Sequence, residues 1–154
     1  MRFSPRLKAV LSFVRGRCLA DIGTDHAFLP IAACLDNVVE KSVACDVSPG
    51  PLKIASDNIV GSGLEDRIVT RLGFGLQPLY EGEADCVVIS GMGGMNIIEI
   101  LNNAKIFSVK RLILQPQRDI PAVRLAVKDL GFCIIGEAIV EDRGRSYTII
   151  AAER

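Results

Sequence analysis

Short strand-like runs alternate with helical patterns along most of the chain, and this alternation limits the possible folds more than any other feature. Apolar runs with strand character occur at residues 18–22, 42–46, 68–72, 85–90 and 111–115. Helical patterns separate them at residues 30–37, 51–60, 95–104 and 121–130, after a first helix that Ser4 and Pro5 open. This order predicts an α/β fold with a mostly parallel sheet and helices on both faces.

The end of the chain follows a different pattern. Residues 132–140 and 146–152 are two β-rich runs, and the polar segment 141–145 joins them. This spacing predicts a hairpin that closes the sheet with an antiparallel strand. Because 154 residues suffice for one ordinary core and the sequence shows no linker or repeat, residues 1–154 are expected to form a single domain.

Composition excludes several classes of protein. The chain is 49% hydrophobic and 23% charged, which is typical of a globular protein. No apolar run approaches the roughly 20 residues of a membrane helix, and the N-terminal segment lacks the features of a secretory signal. We therefore expect no membrane partner and a cytoplasmic location. His26 is the only histidine and no two cysteines form a C-x-x-C pair, which predicts buried reduced thiols and no metal site.

The distribution of charge is uneven along the chain. The formal net charge is zero, which argues against a uniformly basic nucleic-acid-binding protein. Five cations nevertheless precede the first acid of the sequence: Arg2, Arg6, Lys8, Arg15 and Arg17. Such a cluster fits either a solvated helix face or a surface that contacts phosphate groups.

The loop after the first predicted strand is the main candidate for ligand binding. Gly23 follows this strand, while Asp25 and Ala27 stand where dinucleotide-binding loops usually have further glycines. Asp46 ends the second predicted strand, 23 residues after Gly23. Ligands of open α/β sheets lie beyond these strand ends, so Asp46 is placed to accept the hydroxyl groups of a ribose. A plain turn glycine and a helix-capping aspartate are the alternative interpretations.

The acids of this loop distinguish two nucleotide cofactors. NAD carries a pyrophosphate, which binds exposed N–H groups at a helix N-terminus and would be repelled by carboxylates. S-adenosylmethionine carries no phosphate and has a sulfonium cation, which Asp21 and Asp25 could face. The loop therefore favours S-adenosylmethionine over NAD.

Two further segments contribute to the same rim of the sheet. Residues 90–96 read SGMGGMN after the fourth predicted strand, so their glycines allow either a close ligand contact or a tight turn, and Met92 offers a polarizable surface. The segment Gln115-Pro116-Gln117 follows the fifth predicted strand and is expected to place an amide at that rim.

Three motifs make a specific resemblance. D-I-G-T-D-H-A-x-L-P at residues 21–30, G-M-G-G at 91–94 and L-I-L-Q-P at 112–116 resemble, in this order and spacing, the bacterial tRNA (adenine-N1)-methyltransferase family that acts at position 22 of tRNA. The similarity covers nearly the whole chain, including Ser4-x-Arg6-Leu7 and the closing E-D-x-G-x-x-Y that ends at Tyr147. Residues 46–58, DVSPGPLKIASDN, resemble a segment common after the second strand of Rossmann-like methyltransferases. The resemblance implies a Rossmann-like class I methyltransferase sheet, S-adenosylmethionine as cofactor and tRNA as substrate.

The residues and the resemblance together give a set of candidate roles. Methylation of adenine N1 leaves a cationic base, so a nearby carboxylate would stabilise the developing charge. Asp25 is the first candidate for catalysis, and His26 is the second, with packing on a helix as its alternative role. The cofactor-binding candidates are Asp21, Gly23, Thr24, Asp46, Val47, Gly73, Phe74, Gly75, Ser90, Gly91 and Met92. The substrate-binding candidates are Arg6, Gly93, Gly94, Gln115, Pro116 and Tyr147.

Two features depart from the family pattern. The family usually has an acid in a G-D-G loop after the third strand, where it reaches the adenine amino group, whereas this chain reads Gly73-Phe74-Gly75. Phe74 can stack on adenine but cannot accept its amino proton. Family members also usually continue into a helical C-terminal domain associated with tRNA binding, and this sequence reads only to Arg154.

Two other functions are compatible with these patterns. One is a cofactor-binding remnant that serves as an interaction module without catalysis. The other is an NAD-binding Rossmann oxidoreductase, for which the sequence offers no catalytic pair. The sequence gives no indication of oligomeric state.

Overall fold

A computed structural model describes residues 3–103 and 108–154. Within these residues the helices are α1 (Pro5–Phe13), α2 (Phe28–Leu35), α3 (Pro49–Gly61), α4 (Gly94–Asn102) and α5 (Ile120–Asp129). The strands are β1 (Cys18–Ile22), β2 (Lys41–Asp46), β3 (Ile68–Leu72), β4 (Cys86–Met92), β5 (Arg111–Pro116), β6 (Cys133–Asp142) and β7 (Arg145–Glu153). Each predicted strand and helix has a counterpart, so the alternation of the sequence is confirmed.

The strands form one mixed sheet in the order β3-β2-β1-β4-β5-β7-β6. β1 to β5 are parallel, while β7 runs antiparallel to both β5 and β6. The strand order reverses between β1 and β4, because the chain first grows outward from β1 through β2 to β3 and then returns to β4. Such a reversal opens a crevice beyond the carboxyl ends of β1 and β4, which is where ligands of this fold class bind.

The helices cover both faces of the sheet. α1, α2 and α3 pack on one face through buried residues such as Val10, Ala33 and Ala55. α4 and α5 pack on the other face through residues such as Ile97 and Val123. The small Ala55 side chain allows α3 to approach the sheet closely, as its apolar spacing predicts. The predicted α/β class with helices on both faces is confirmed.

The first helix begins beside the crevice and ends far from it. Ser4 caps it by accepting a 3.1 Å hydrogen bond from the Leu7 backbone N–H. The chain then reaches the amino end of β1, where the carboxylate of Asp85 accepts backbone N–H bonds from Arg17 and Cys18. Arg17 therefore lies at the amino ends of the strands, opposite the crevice.

Several element boundaries differ from the sequence prediction by one or two residues. The prediction starts the second helix at Pro30, but α2 begins at Phe28 because Ala27 adopts a left-handed conformation with φ of 64° and acts as its N-cap. The prediction ends the fourth helix at residue 104, which lies outside the described residues; α4 ends at Asn102. β4 continues through an irregularity between Ser90 and Met92, beyond the predicted residue 90.

The terminal hairpin is confirmed and is more deeply integrated than a simple closing strand. β7 lies between β5 and β6, and its register places Ile150 opposite Leu114 and Ala152 opposite Leu112. Arg143 and Gly144 form the turn, with φ of 50° and 77°. Two consecutive positive φ values match the two-residue hairpin turns whose twist suits paired strands.

Candidate functional site

The loop between β1 and α2 has a backbone course that few residues tolerate. Gly23, Asp25 and Ala27 all have positive φ values, of 71°, 57° and 64°. A side chain at Gly23 would also meet the terminal methyl of Met92, with only 2.6 Å between a Cβ atom and that carbon. The Thr24 backbone N–H donates to the Cys45 carbonyl at 2.9 Å, which holds the loop against the end of β2. The β1–α2 loop is therefore fixed to the end of β2, and the backbone of Gly23 lies against Met92 at the crevice.

Asp46 joins this loop to the start of α3. One of its carboxylate oxygens accepts the Asp25 backbone N–H at 3.0 Å, and the other accepts the Ser48 backbone N–H at 3.0 Å. Each oxygen keeps a further lone pair because a carboxylate can accept about four hydrogen bonds. Two fixed acceptor oxygens with spare capacity fit the two hydroxyl groups of a ribose.

Two cavities meet at Gly23. The first, here called the β3-side cavity, has a volume of about 270 Å³ and lies between the ends of β1, β2 and β3 and helix α4. It contains these residues of the predicted cofactor set: Gly23, Asp46, Val47, Gly73, Phe74, Gly75 and Met92. The Phe74 ring is 39% exposed and supplies an aromatic wall.

The second cavity, here called the α1-side cavity, has a volume of about 390 Å³ and lies between α1, the β1–α2 loop and the end of β4. It contains these residues predicted to bind cofactor or substrate or to act in catalysis: Arg6, Asp21, Gly23, Thr24, Asp25, His26, Ser90 and Gly91. Because Gly23 lines both cavities, they adjoin at this residue, and an elongated ligand bound beside Gly23 would contact both.

Asp21 is the buried carboxylate of the site. It is 6% exposed, and Thr24 donates a 2.8 Å hydrogen bond from its hydroxyl to the Asp21 carboxylate. Burial raises the pKa of Asp21 to about 7, the hydrogen bond from Thr24 opposes this rise, and the negative charge of Asp46 adds to it. A cation in the α1-side cavity would stabilise the ionised form of this carboxyl.

Asp25 and His26 lie side by side at the opening of the α1-side cavity. The His26 Nε2 atom is 3.7 Å from the Asp25 carboxylate, whose side chain is 67% exposed. The imidazole also packs edge-to-face on Phe28, with ring centroids 5.7 Å apart, and the His26 carbonyl accepts a hydrogen bond from the Asn58 amide. The Asp25 carboxylate is thus free to face a substrate, while His26 has a packing role whether or not it acts in chemistry.

Gln115 lies deeper than the sequence suggests. Its side chain is buried, its carbonyl oxygen accepts the Gly91 backbone N–H at 3.0 Å and the Ser90 hydroxyl at 3.3 Å, and its amide donates to the Pro116 carbonyl. Pro116 is buried as well. The Gln115 side chain therefore lies inside the protein and not at the rim expected from the sequence. There it orients the Ser90-Gly91 backbone beneath the cavity.

The paired glycines at the start of α4 serve different purposes. Gly94 is buried, and a Cβ atom there would clash with the Arg118 carbonyl and lie 3.0 Å from Val123. This position requires glycine for packing between α4 and α5. Gly93 is the N-cap of α4, and the Arg118 guanidinium lies over it, with Nε 3.4 Å from the place of a Cβ atom.

Arg6 is the cation that α1 contributes to the site. Its guanidinium carbon lies 4.8 Å from the centroid of the Tyr147 ring, a cation–π contact that brings two predicted substrate residues together. Arg6 lies near the acids of the β1–α2 loop but forms no ion pair within the described part of the chain. Arg15 and Arg17 lie away from the site: Arg15 bonds backbone carbonyls at the end of α1, and Arg17 pairs with Glu40. Arg2 is outside the described residues.

The sequence prediction missed three residues near the cavities. Asn96 and Glu99 project from α4 into the β3-side cavity, and Arg118 is an exposed cation in the turn after β5. The helical spacing of Asn96 and Glu99 places them on one face, but only the packing of α4 shows that this face looks into the cavity. Arg118 directly follows the Gln115-Pro116-Gln117 segment, and its position after a strand end was the available signal.

The remaining predictions concern cysteines, metals and membranes. Four cysteines are buried and reduced, as expected, whereas Cys133 is exposed because it begins the edge strand β6. In residues 3–103 and 108–154 there is no group of His, Cys, Asp or Glu side chains that could hold a metal ion. The same residues contain no helix of the length and apolarity needed to cross a membrane.

Comparison with known proteins gives a consistent result. Residues 3–150 match the family model described as a methyltransferase domain. The chain is 36% identical over 156 residues to a Bacillus subtilis protein named tRNA (adenine(22)-N(1))-methyltransferase, and the alignment covers 99% of this chain and 66% of that protein. The chain thus spans about two thirds of the length of the curated relatives it matches.

Solved structures show the same similarity. The M. capricolum protein TrmK, solved with the cofactor product S-adenosyl-homocysteine, has a TM-score of 0.92 and 31% identity, with 99% of this chain and 69% of that chain covered. A Streptococcus pneumoniae protein solved in complex with S-adenosyl-L-methionine has a TM-score of 0.94 and 37% identity, with 99% and 73% covered. These neighbours confirm the Rossmann-like fold and the resemblance found in the sequence.

Proposed function

Because the chain belongs to the methyltransferase-domain family, we propose that it transfers the methyl group of S-adenosylmethionine to N1 of an adenosine in tRNA, at the position 22 named for its relative. The observation that carries this proposal is the pair of adjoining cavities that share Gly23. The β3-side cavity has the Asp46 carboxylate and the Phe74 ring, which suit a nucleoside. The α1-side cavity has the acids Asp21 and Asp25, which suit a sulfonium ion, and the cation Arg6, which suits a nucleic acid.

The described residues fit this cofactor. Asp46 holds two acceptor oxygens for the ribose, Phe74 offers a stacking surface for adenine, and Gly23 brings backbone without a side chain to the boundary of both cavities. Asp21 and Asp25 give the α1-side cavity a negative character that suits a cation and opposes a pyrophosphate. These acids support S-adenosylmethionine rather than NAD.

The chain's own residues contribute chiefly alignment and charge. When bound, S-adenosylmethionine supplies an electrophilic methyl group on a positively charged sulfur. Transfer of this methyl group would form an N–C bond at adenine N1 as the S–C bond breaks, so positive charge would develop on the base. We propose that Asp25 stabilises this charge from the opening of the cavity, with His26 as the second candidate. Gln115 holds the Ser90-Gly91 backbone in place and is now proposed to position the site rather than to contact RNA.

The substrate adenosine must leave its stack before N1 can reach the methyl group. We propose that its base enters at Asp25 and Gly91, while Arg6, supported by Tyr147, and Arg118 bind neighbouring phosphates. Gly93 lies beneath the Arg118 guanidinium, which leaves that cation exposed at the rim. A tRNA-modifying role places the protein in the cytoplasm, and this location is part of the proposal.

One experiment tests this function. The chain is incubated with isotope-labelled S-adenosylmethionine and unmodified tRNA, and the nucleosides are then identified by mass spectrometry. The expected product is labelled 1-methyladenosine, absent when A22 of the tRNA is replaced by G. Cofactor binding without methyl transfer to any tRNA would contradict catalysis and favour the non-catalytic interaction module, while binding of NAD in preference to S-adenosylhomocysteine would favour the oxidoreductase.

A further inference from the structure

Helix α4 presents a polar pair to the otherwise mainly apolar part of the β3-side cavity. Asn96 and Glu99 are three residues apart on α4, so their side chains lie on one face of the helix. Both are exposed and both line the cavity. In the described residues, the Glu99 carboxylate has no hydrogen-bond or ion-pair partner, although the Glu99 carbonyl accepts from Asn103. A carboxylate without a partner is thus available to a ligand in this cavity.

The opposite walls of the cavity offer different chemistry. Asp46 stands at the end of β2, Phe74 contributes its ring after β3, and Ile22 and Ile100 are apolar. The Phe74 side chain has no acceptor atom, its backbone carbonyl accepts the Gln77 N–H, and the glycines on either side of it have no side chain. The side-chain oxygens that line the part of the cavity remote from Asp46 therefore come from α4.

A purine nucleoside in this cavity would place its ribose and its base against different walls. Ribose hydroxyls bound to Asp46 would direct the base away from β2, between the Phe74 ring and α4. Adenine carries an amino donor beside a ring-nitrogen acceptor on its outer edge. A carboxylate can accept only from the amino group, whereas an amide can donate to the ring nitrogen. Glu99 and Asn96 match that order of groups.

We propose that Glu99 accepts a hydrogen bond from the adenine amino group of the cofactor and that Asn96 serves the adjoining ring nitrogen. Base selectivity in this chain then resides on α4 and not in the loop after β3, where Phe74 provides stacking only. This inference rests on the proposed function, because it assumes that S-adenosylmethionine occupies the β3-side cavity.

Calorimetry with two ligands tests the proposal. One is S-adenosylhomocysteine and the other is its analogue with unsubstituted purine, which lacks the amino group. The native chain is expected to prefer S-adenosylhomocysteine roughly ten-fold or more, the value of a charge-assisted hydrogen bond. Glu99→Ala should reduce this preference to near unity by weakening S-adenosylhomocysteine alone. Glu99→Gln, which retains an acceptor oxygen without the charge, should give an intermediate preference.

Controls separate a lost contact from a damaged fold. Glu99 is exposed on a helix and alanine favours helices, so the variant should fold, as circular dichroism can verify. Glu65→Ala removes an exposed acid between α3 and β3 and should retain the native preference.

The possible outcomes separate the role of Glu99 from the proposed methyltransferase function. A Glu99→Ala variant that still prefers S-adenosylhomocysteine as strongly as the native chain does would overturn the role of Glu99 and leave the proposed function intact. Failure of the native chain to bind S-adenosylhomocysteine would overturn the proposed function, and the inference would fall with it.

Discussion

The backbone N–H of Asp25 donates to the carboxylate of Asp46 at 3.0 Å, so the candidate catalytic residue and the candidate ribose-binding residue are held in one hydrogen-bonded unit. Asp25 contributes its backbone to this contact and keeps its side chain exposed. A substitution at Asp46 therefore changes both ligand binding and the geometry of the loop, whereas a substitution of the Asp25 side chain leaves the contact intact.

Asp46→Ala should weaken S-adenosylhomocysteine binding by about 1–3 kcal/mol, because the ribose loses charge-assisted hydrogen bonds and the loop loses an anchor. Calorimetry measures this change. Asp57→Ala is the matched control, since Asp57 is an exposed acid of α3 that pairs only at the surface with Lys53. Equal affinity of the Asp46→Ala variant and the native chain would contradict the ribose assignment.

Asp25→Asn should lower single-turnover methyl transfer at saturating cofactor on the order of a hundredfold while sparing tRNA binding. Asparagine tolerates the positive φ of this position and keeps the backbone N–H, so the loop should be preserved. Rapid-quench measurement with labelled cofactor gives the rate. His26→Gln provides the comparison, and a loss confined to His26→Gln would transfer the proposed role from the carboxylate to the imidazole.

Stability should depend on pH through Asp21. Its pKa is about 7 in the folded chain against an ordinary value near 3.8, so the folded state holds this proton more tightly than the unfolded state does. The contribution of Asp21 to the free energy of unfolding is therefore greatest below pH 4 and falls as the pH rises to 7. The slope is at most about 1.4 kcal/mol per pH unit.

Asp21→Asn removes this titration. In chemical denaturation of the ligand-free chain, the variant should gain stability relative to the native chain between pH 4 and pH 7, with no further gain above that range. A constant difference across this range would show that the Asp21 carboxyl titrates alike in the folded and unfolded states.

Phe74→Asp tests how the two sides of the β3-side cavity share the adenine. In the native background, the substitution should weaken S-adenosylhomocysteine binding a few-fold, because it removes an aromatic stacking partner. In a Glu99→Ala background, it should instead strengthen binding, because it restores a carboxylate near the base. Calorimetry of the four chains completes the cycle. Strictly additive effects would argue that Phe74 and Glu99 do not meet the same base.

Arg6→Ala and Arg118→Ala should each weaken tRNA binding and lower its logarithmic salt slope by about one, as expected for loss of one phosphate contact. Binding is measured by filter retention over a series of salt concentrations. Arg17→Ala is the control, since Arg17 lies at the amino ends of the strands and pairs with Glu40. Loss of S-adenosylhomocysteine binding in Arg6→Ala would show that this residue supports the cofactor cavity instead.

The sequence predicts the fold well because the apolar runs and their turns have clear periods. β1 and β3 agree with the predicted residues at both ends. The start of α2 was wrong by two residues, because an alanine in a left-handed conformation carries no signal that distinguishes it from a helical alanine. The insertion of β7 beside β5 depends on long-range pairing, which local patterns do not contain.

The site was predictable where a residue lies at or beside the carboxyl end of a strand. Asp21, Gly23 and Asp46 are such residues, and the structure brings them to the same crevice. Gln115 shows the limit of this reasoning, because a strand end does not reveal whether a side chain points outward or folds beneath the neighbouring loop. Glu99 shows the other limit, since its role depends on how α4 packs against the sheet.

The place of β7 between β5 and β6 also affects how the chain folds. β6 is synthesised before β7, yet β7 is the strand through which it joins the sheet. The two strands must therefore join the sheet together as a hairpin, or β6 can pair with the sheet only after β7 is in place. Hairpins form within microseconds when their turns are favourable, so the Arg143-Gly144 turn influences the rate at which the sheet is completed. Completion of the sheet thus depends on the same strand, β7, that brings Tyr147 to Arg6 beside the site.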